Sequence, residues 1–514
     1  PRRLCGLHVH ARRAGTTGAG TGARPRAVTG RRADLIVAAS AILPLVYFCL
    51  REQQIAGATG FPLDDSWIHL HFARNVAEGA GFSYSDGVPV AGSTAPAWTL
   101  LLAGALAFGA PPVALVKALG ILGTIGAAVL TRHAAVAWGA PPLASLLAAI
   151  ALAGSGPLVW GALSGMEVTL AAALVAAALL AHARDRPLWT ATFAALAVLA
   201  RPEALLVVPL FLAARPLVSN RLVAFVLITV AVLAPAVWFS LATVGSPMPA
   251  TAAAKVEGGL LGWLSGMREP WSQLLVERPW RFMLTWVGWL ATVNWLLPAA
   301  LVPGLWYAWR RGGRALGVVS LALLAHPLAM AWVAPYRDPS FQEGRYSIQL
   351  LPLAFVLVAL GLGALPWPRL ALTVFLVCAL VPLGRAADRY AWGVQNINAM
   401  QVHLGQWVSA HLPPNSRIAV NDIGAIAYFS RYPLIDLMGL VTPDIVPYRR
   451  DGEHGVIRYL AERCPDYLIV FPTWFPELTA RRESLEPIYR VRLERTEVAG
   501  GPEMVVYRLT RCPL

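Results

Sequence analysis

The sequence predicts an α-helical polytopic membrane protein that carries a small C-terminal α/β domain. Three observations lead there. Hydrophobic residues make up 57% of the 514 positions and charged residues only 14%, well under the roughly 25% typical of soluble domains, and the mean hydropathy is +0.57. Apolar runs of the length that crosses a bilayer, about 20 residues, recur along the chain. From about position 388 the composition changes to a soluble pattern. A soluble cytosolic enzyme is thereby excluded. The runs are long and rich in Leu, Ala and Val, whereas barrel strands alternate in polarity over about ten residues, so an outer-membrane barrel is excluded too.

Lys and Arg exceed Asp and Glu by 42 to 28, a net charge of +14. In a soluble protein such an excess would raise nucleic-acid binding. Here much of it is Arg2, Arg3, Arg12, Arg13, Arg24, Arg26, Arg31 and Arg32, ahead of the first apolar run, where the positive-inside rule expects cytoplasmic charge. No nucleic-acid partner is expected, and residues 1–33 read as a basic cytoplasmic segment. The first crossing, 34–50, puts the polar loop 51–95 outside. Apolar segments follow at 96–109, 113–131, 142–161, 167–182, 188–200, 203–214, 222–243, 282–309, 315–334, 347–363 and 369–386, separated by Gly, Pro and Arg. The basic loops at Arg132, Arg184, Arg186, Arg215, Arg221, Arg310, Arg311, Arg314 and Arg369 all become cytoplasmic if 96–109 does not cross. That short segment is therefore read as an interfacial helix, leaving about eleven crossings in 34–387 and an outer C-terminus.

Residues 388–514 form the outer domain, with helices expected at 394–411 and 455–464 and strands at 417–421, 434–436, 467–471, 489–496 and 504–509. The run Asp422, Ile423, Gly424, Ala425, Ile426, Ala427 lacks the glycine spacing of a phosphate loop, so a nucleotide-sugar donor finds no support there. The five cysteines, Cys5, Cys49, Cys378, Cys464 and Cys512, have no metal-type spacing. Cys464 and Cys512 share the outer domain, and whether they pair is left open.

The same topology gathers polar clusters at one membrane face: Asp64 with Asp65, Ser164 to Glu167, Arg201 with Pro202 and Glu203, Pro249 to Thr251 with Lys255, and Arg345. Arg201, Lys255 and Arg345 break the positive-inside rule, and an anionic headgroup would explain all three. Asp64, Asp65 or Ser66 can cap a helix whose Ile68, Phe72 and Val76 share a face. One carboxylate suffices as a cap. The second points about 100° away, and a desolvated carboxylate raised by its neighbour suits a general base for a hydroxyl. Local explanations stand beside the functional ones: a proline-broken hairpin at Arg201 and Glu203, a helix-end charge at Glu167, and snorkelling at Lys255, Arg345 and Lys117. His69 and His71 lie on opposite sides of the helix, so they are poor metal partners and read as packing or acceptor contacts.

The run from Leu63, Asp64, Asp65, Ser66, Trp67 and Ile68 through Phe72, Ala73, Arg74 and Asn75 to Gly81 and Phe82 resembles the first outer loop of GT-C membrane glycosyltransferases. So does the following Gly92, Ser93, Thr94, Ala95, Pro96, Ala97, Trp98. The resemblance is nearest to the terminal arabinofuranosyltransferase-like branch of actinobacterial cell-wall synthesis, with protein O-mannosyltransferases and lipid A aminoarabinose transferases further off. Fainter echoes are Ser164-Gly165-Met166-Glu167, Ala200-Arg201-Pro202-Glu203, Met248 to Lys255, Gly344-Arg345-Tyr346, and Ile435 to Leu440. Relatives often carry Asn where this chain has Ala250, which removes a polar contact beside Thr251.

The resemblance implies an inverting transfer from a polyprenyl-phosphate-linked sugar to a cell-envelope glycan, lipid or protein acceptor at the outer face of the cytoplasmic membrane. Asp64 would be the base and Asp65 would orient it or the acceptor. Lys255, Arg345 and Arg201 would grip the donor phosphate, with Glu167, Glu203, Thr251, His69 and Trp98 as substrate contacts. Fixed cations can meet the leaving charge, so no cofactor is required and a divalent metal is optional. Two other classes remain: a transporter or flippase for a lipid-linked glycan, and a non-catalytic glycan-binding membrane protein. Neither sugar nor acceptor can be read.

Overall fold

Prolines open the helices, because a first-turn proline forfeits no helical hydrogen bond. Pro96, Pro112, Pro142, Pro187, Pro202 and Pro368 all stand at such starts. The computed structural model describes residues 30–512 apart from positions 86 and 334. The expected basic segment 1–33 lies outside the described residues except for its last four, which begin the helix Gly30–Ser40.

Among the described residues six helices have the length and apolarity to cross a membrane: Gly30–Ala56, Pro112–Ala137, Ser219–Val244, Gly313–Trp332, Phe341–Gly363 and Pro368–His411. Two bent pairs, Pro142–Ala153 with Gly156–Leu163 and Gln273–Val293 with Leu297–Arg310, bring that to eight if each is one span. The shorter apolar helices Pro96–Leu106, Val168–Ala183, Pro187–Ala200 and Pro202–Ala214 stand near expected segments, but eleven spans do not follow from their length. The segment expected to cross at 282–309 is not one straight helix, for the chain turns by 103° there. Asn294 is extended, its side-chain N–H donates to the Phe375 carbonyl at 2.8 Å, and its side-chain oxygen accepts the Leu296 N–H at 2.9 Å. The second bond satisfies an N–H that the broken helix would otherwise strand, and the first ties the break to the helix Pro368–Cys378.

The helix Pro368–Cys378 leads to Leu383–Ile397, within which the expected boundary at 387/388 falls. Beyond it a five-stranded sheet has β1 (Ile418–Val420), β2 (Leu434–Asp436), β3 (Tyr467–Val470), β4 (Leu485–Arg492) and β5 (Glu503–Leu509) in the order β2-β1-β3-β5-β4. β1 pairs parallel with β2 and β3, and β5 pairs antiparallel with β3 and β4. β4 starts four residues before the expected 489–496. The helix Gly424–Ser430 was not expected. It is short and buried nearly all round, so it shows no amphipathic period. A Cys464–Cys512 disulfide ties the end of the helix Gly452–Arg463 to the chain after β5.

The outer domain is no appendage. Ile68, Phe72, Tyr84 and Val90 from the first outer loop bury into one apolar cluster with Met400, Leu404, Ile418, Val420, Ile426, Ile469 and Val506. Burial of that shared surface fixes the loop against the domain.

Candidate active site

Where the first outer loop meets the outer domain, a cavity of about 650 Å³ opens. Its apolar lining includes Leu205, Leu206, Met248, Val256, Leu261 and Val333. Its polar lining includes Asp65, His69, Arg201, Glu203, Lys255 and Arg345. The structure thus brings six of the ten expected site residues to one cavity, together with Thr251. Glu167 stands directly behind, and Asp64 and Trp98 lie elsewhere.

The helix Asp65–Ala77 presents Asp65 and His69 one turn apart on the cavity side. Asp65 is half-buried and its Oδ2 accepts from Arg345 Nη1 at 2.9 Å, with Lys255 Nζ at 3.7 Å. Burial alone would raise its pKa, but Lys255 and Arg345 hold the carboxyl well below the usual carboxylate range. Lys255 is likewise shifted upward against its own desolvation by Asp65. Arg345 also donates to the Tyr346 hydroxyl at 3.0 Å. The result is two cations on one carboxylate, an arrangement with a spare positive charge for an anion.

Asp64 points the other way. Its two oxygens accept the backbone N–H groups of Gly424 at 2.6 Å and Ala425 at 2.7 Å, so it caps a helix of the outer domain. A Cβ at Gly424 would stand 2.0 Å from the Asp64 carbonyl oxygen, so only glycine permits this approach. Burial, reinforced by Asp422, pushes the Asp64 carboxyl well above its ordinary value. The expectation of Asp64 as the base is thus met by a group with the right direction of shift in the wrong place: it is only 9% exposed and lines no part of the cavity.

Arg201 forms the second polar cluster. It bonds Glu167 and stands 3.2 Å from Glu203 through Nε. Glu167, fully buried, also lies 3.1 Å from His69 Nε2. Gly165, at φ +81°, makes the turn that delivers Glu167 here. With two carboxylates on one guanidinium, Arg201 has no charge to spare, which corrects its expected place in a phosphate grip. Tyr346 lies between the clusters, its ring centroid 4.8 Å from the Arg201 guanidinium carbon and 5.0 Å from that of Arg345.

Other expectations are also revised. Trp98 is buried in packing and its indole N–H donates to the Gly165 carbonyl at 3.1 Å, so it is no substrate contact. Thr251 does reach the cavity, but its hydroxyl bridges toward the carbonyls of Gly92 and Leu440 (3.0 Å to the latter). His71 packs on Tyr84, with Nε2 at 2.8 Å from the Tyr84 carbonyl oxygen. Lys117 does not snorkel: buried, it pairs with Glu52 at 2.6 Å and donates to Thr59 at 2.8 Å. Three contributors escaped sequence reasoning. Tyr346 follows Arg345 directly but had no assigned role. Ser93, in the cavity wall 3.4 Å from His69 Nδ1, read only as part of a motif. Leu440 comes from the outer domain and read only as the end of the Ile435 to Leu440 motif. Among the described residues no group of three or more His, Cys, Asp or Glu side chains is placed to hold a metal ion.

A family model described as a domain of unknown function, DUF8728, matches residues 395–507. No curated protein matches the sequence. Solved structures do match in shape. ArnT from Cupriavidus metallidurans, in the apo state, superposes with a TM-score of 0.59 at 13% identity over 92% of this chain and 97% of its own. Its undecaprenyl phosphate complex gives 0.57 at 13% identity over the same shares. The archaeal oligosaccharyltransferase AglB from Archaeoglobus fulgidus, in complex with an inhibitory peptide and a dolichol-phosphate, gives 0.58 at 12% identity, covering 89% of this chain and 73% of that one. At such identities the likeness establishes the fold. Membrane helices, outer loop and outer domain together have the GT-C fold.

Proposed function

We propose that the protein is an inverting membrane glycosyltransferase that moves a sugar from a polyprenyl-phosphate donor to a hydroxyl of a cell-envelope glycan, lipid or protein. The observation that carries this reading is the cavity, whose lining combines many apolar side chains with a carboxylate held by two cations. A polyprenyl chain fits the apolar lining, and its phosphate fits Lys255 and Arg345. A single spare charge suits a phosphodiester better than a diphosphate. The polyprenyl phosphates bound by ArnT and AglB agree with this choice.

Phosphate drawn to Lys255 and Arg345 competes with Asp65 for both cations and adds negative charge beside it. Each effect raises the Asp65 carboxyl from its depressed state, so Asp65 becomes a competent base when the donor is present. The acceptor oxygen attacks the anomeric carbon opposite the phosphate. Its proton passes to Asp65, the bond from carbon to phosphate oxygen breaks, and that electron pair leaves on the lipid phosphate, where the cations stabilise it. No metal is needed in this scheme. Asp64 serves by seating the outer domain. The basic 1–33 segment favours a cytoplasmic N-terminus, and the basic loops favour eleven crossings of the cytoplasmic membrane. In that arrangement 34–387 is the catalytic membrane unit and 388–514 an extracytoplasmic domain.

The test is sugar transfer from native polyprenyl phosphates in a lipid extract, with matched amounts of wild type and Asp65→Asn. The variant is expected to lose roughly 10²-fold or more. Transfer near the wild-type rate would remove Asp65 as base. A wild type that binds the lipid but transfers nothing would favour the transporter or the glycan-binding class.

A further inference from the structure

The cavity's polar residues form a cluster at each of two ends. At one end two cations share Asp65. At the other, Glu167 and Glu203 share one guanidinium, and His69 Nε2 stands 3.1 Å from Glu167. The second cluster is also incompletely bonded. Arg201 is 3% exposed, yet its Nη2 lacks a hydrogen-bond partner, while its Nε and Glu203 Oε2 stand 3.2 Å apart without forming a hydrogen bond, and both residues line the cavity. Buried polar atoms without hydrogen bonds are costly, and here an acceptor oxygen stands beside a free donor. Adjacent sugar hydroxyls, each both donor and acceptor, match that pattern. The two ends lie close together: Asp65 and His69 are one helical turn apart, about 6 Å, and the Tyr346 ring lies between Arg345 and Arg201.

We propose that Arg201 and Glu203, backed by Glu167, form the subsite for the transferred sugar, and that it takes an uncharged monosaccharide through neighbouring hydroxyls and rejects a uronic acid. This rests on the polyprenyl-phosphate reading above. Glu203 is the discriminating residue: its carboxylate accepts a hydrogen bond from a hydroxyl of a neutral sugar and repels a sugar carboxylate beside it. Arg201 cannot rescue an acidic sugar, because Glu167 and Glu203 already hold it.

The experiment measures binding to the full chain in nanodiscs of three probes: undecaprenyl phosphate, undecaprenyl phosphate linked to neutral arabinofuranose or mannose, and undecaprenyl phosphate linked to galacturonic acid. Wild type should bind at least one neutral-sugar lipid about tenfold or more tighter than the uronic lipid. Glu203→Gln should shrink that gap several-fold and leave undecaprenyl phosphate affinity within about twofold of wild type, which also reports a folded site. Equal binding of neutral and uronic lipids, or a Glu203→Gln effect of the same size on all three probes, overturns the subsite. Failure of wild type to bind undecaprenyl phosphate overturns the donor reading and the subsite with it. Binding of that lipid without sugar discrimination overturns the subsite alone.

Discussion

Asp64 and Asp65 are neighbours in the chain and about 100° apart around a helix, and that rotation divides their chemistry. Asp65 faces the cavity and two cations; Asp64 faces two backbone N–H groups of another domain. Their substitutions should therefore separate. Asp64→Ala strands two buried donors and should cost about 2–4 kcal/mol of stability, visible as a lower unfolding temperature in detergent. Asp65→Asn should leave that temperature nearly unchanged and bind undecaprenyl phosphate at least as tightly as wild type, because it removes the phosphate's competitor for Lys255 and Arg345. Weaker lipid binding by Asp65→Asn would contradict the competition.

At the scale of elements, the cavity depends on supports that do not enter it. The Lys117–Glu52 pair joins the helix Pro112–Ala137 to the end of Ile42–Ala56, and Glu52 also accepts the Gly60 N–H at 2.9 Å, four residues before Asp64. Lys117→Met leaves a buried carboxylate unpaired and should cost about 3–5 kcal/mol, whereas adding Glu52→Gln should restore much of it; thermal unfolding of the single and double variants checks both. The loop carrying Leu440 depends on Asp436, fully buried, which accepts the N–H groups of Met438 at 2.8 Å and Val441 at 2.9 Å, and that of Leu440. Burial, only partly offset by those bonds, raises its carboxyl to about 6. A folded pKa above the unfolded value means that the folded state binds the proton first. Its stability should rise as pH falls through about 6, level off near 4, and lose that increment as pH climbs again, by on the order of 1–3 kcal/mol. Unfolding temperatures from pH 7 to 5 should show the trend in wild type and a flatter profile in Asp436→Asn. Equal slopes would assign it to other groups.

Over the whole molecule, the outer loop and outer domain share one apolar core, so they must lie on the same side of the membrane. Cysteine labelling, with Cys49 and Cys378 replaced, tests the rest of the topology. Single cysteines at 110 and in the exposed part of the outer domain should both react from outside. A cysteine at 110 reached only from the cytoplasm would make Pro96–Leu106 a crossing and end the eleven-span arrangement.

What the sequence determined by itself was whatever a local pattern can carry. Apolar length marked the membrane helices, first-turn prolines marked their starts, and the loss of apolar runs after 388 marked the outer domain. The three basic residues that the expected topology sets on the outer side, Arg201, Lys255 and Arg345, all reach one cavity. Only the tertiary structure decided what each does there. Charge balance is a property of who stands beside whom: Arg201 is neutralised by a glutamate 34 residues away and Arg345 meets a carboxylate 280 residues away, separations at which no sequence period operates. The same holds for Asp64, whose partners lie 360 and 361 residues further on. In sequence the aspartate pair reads as one catalytic unit, because both members are acidic and both can cap a helix. Folding separates them, because a helix turns each successive side chain to a different neighbour, and the neighbour sets whether a carboxylate holds a domain or faces a substrate.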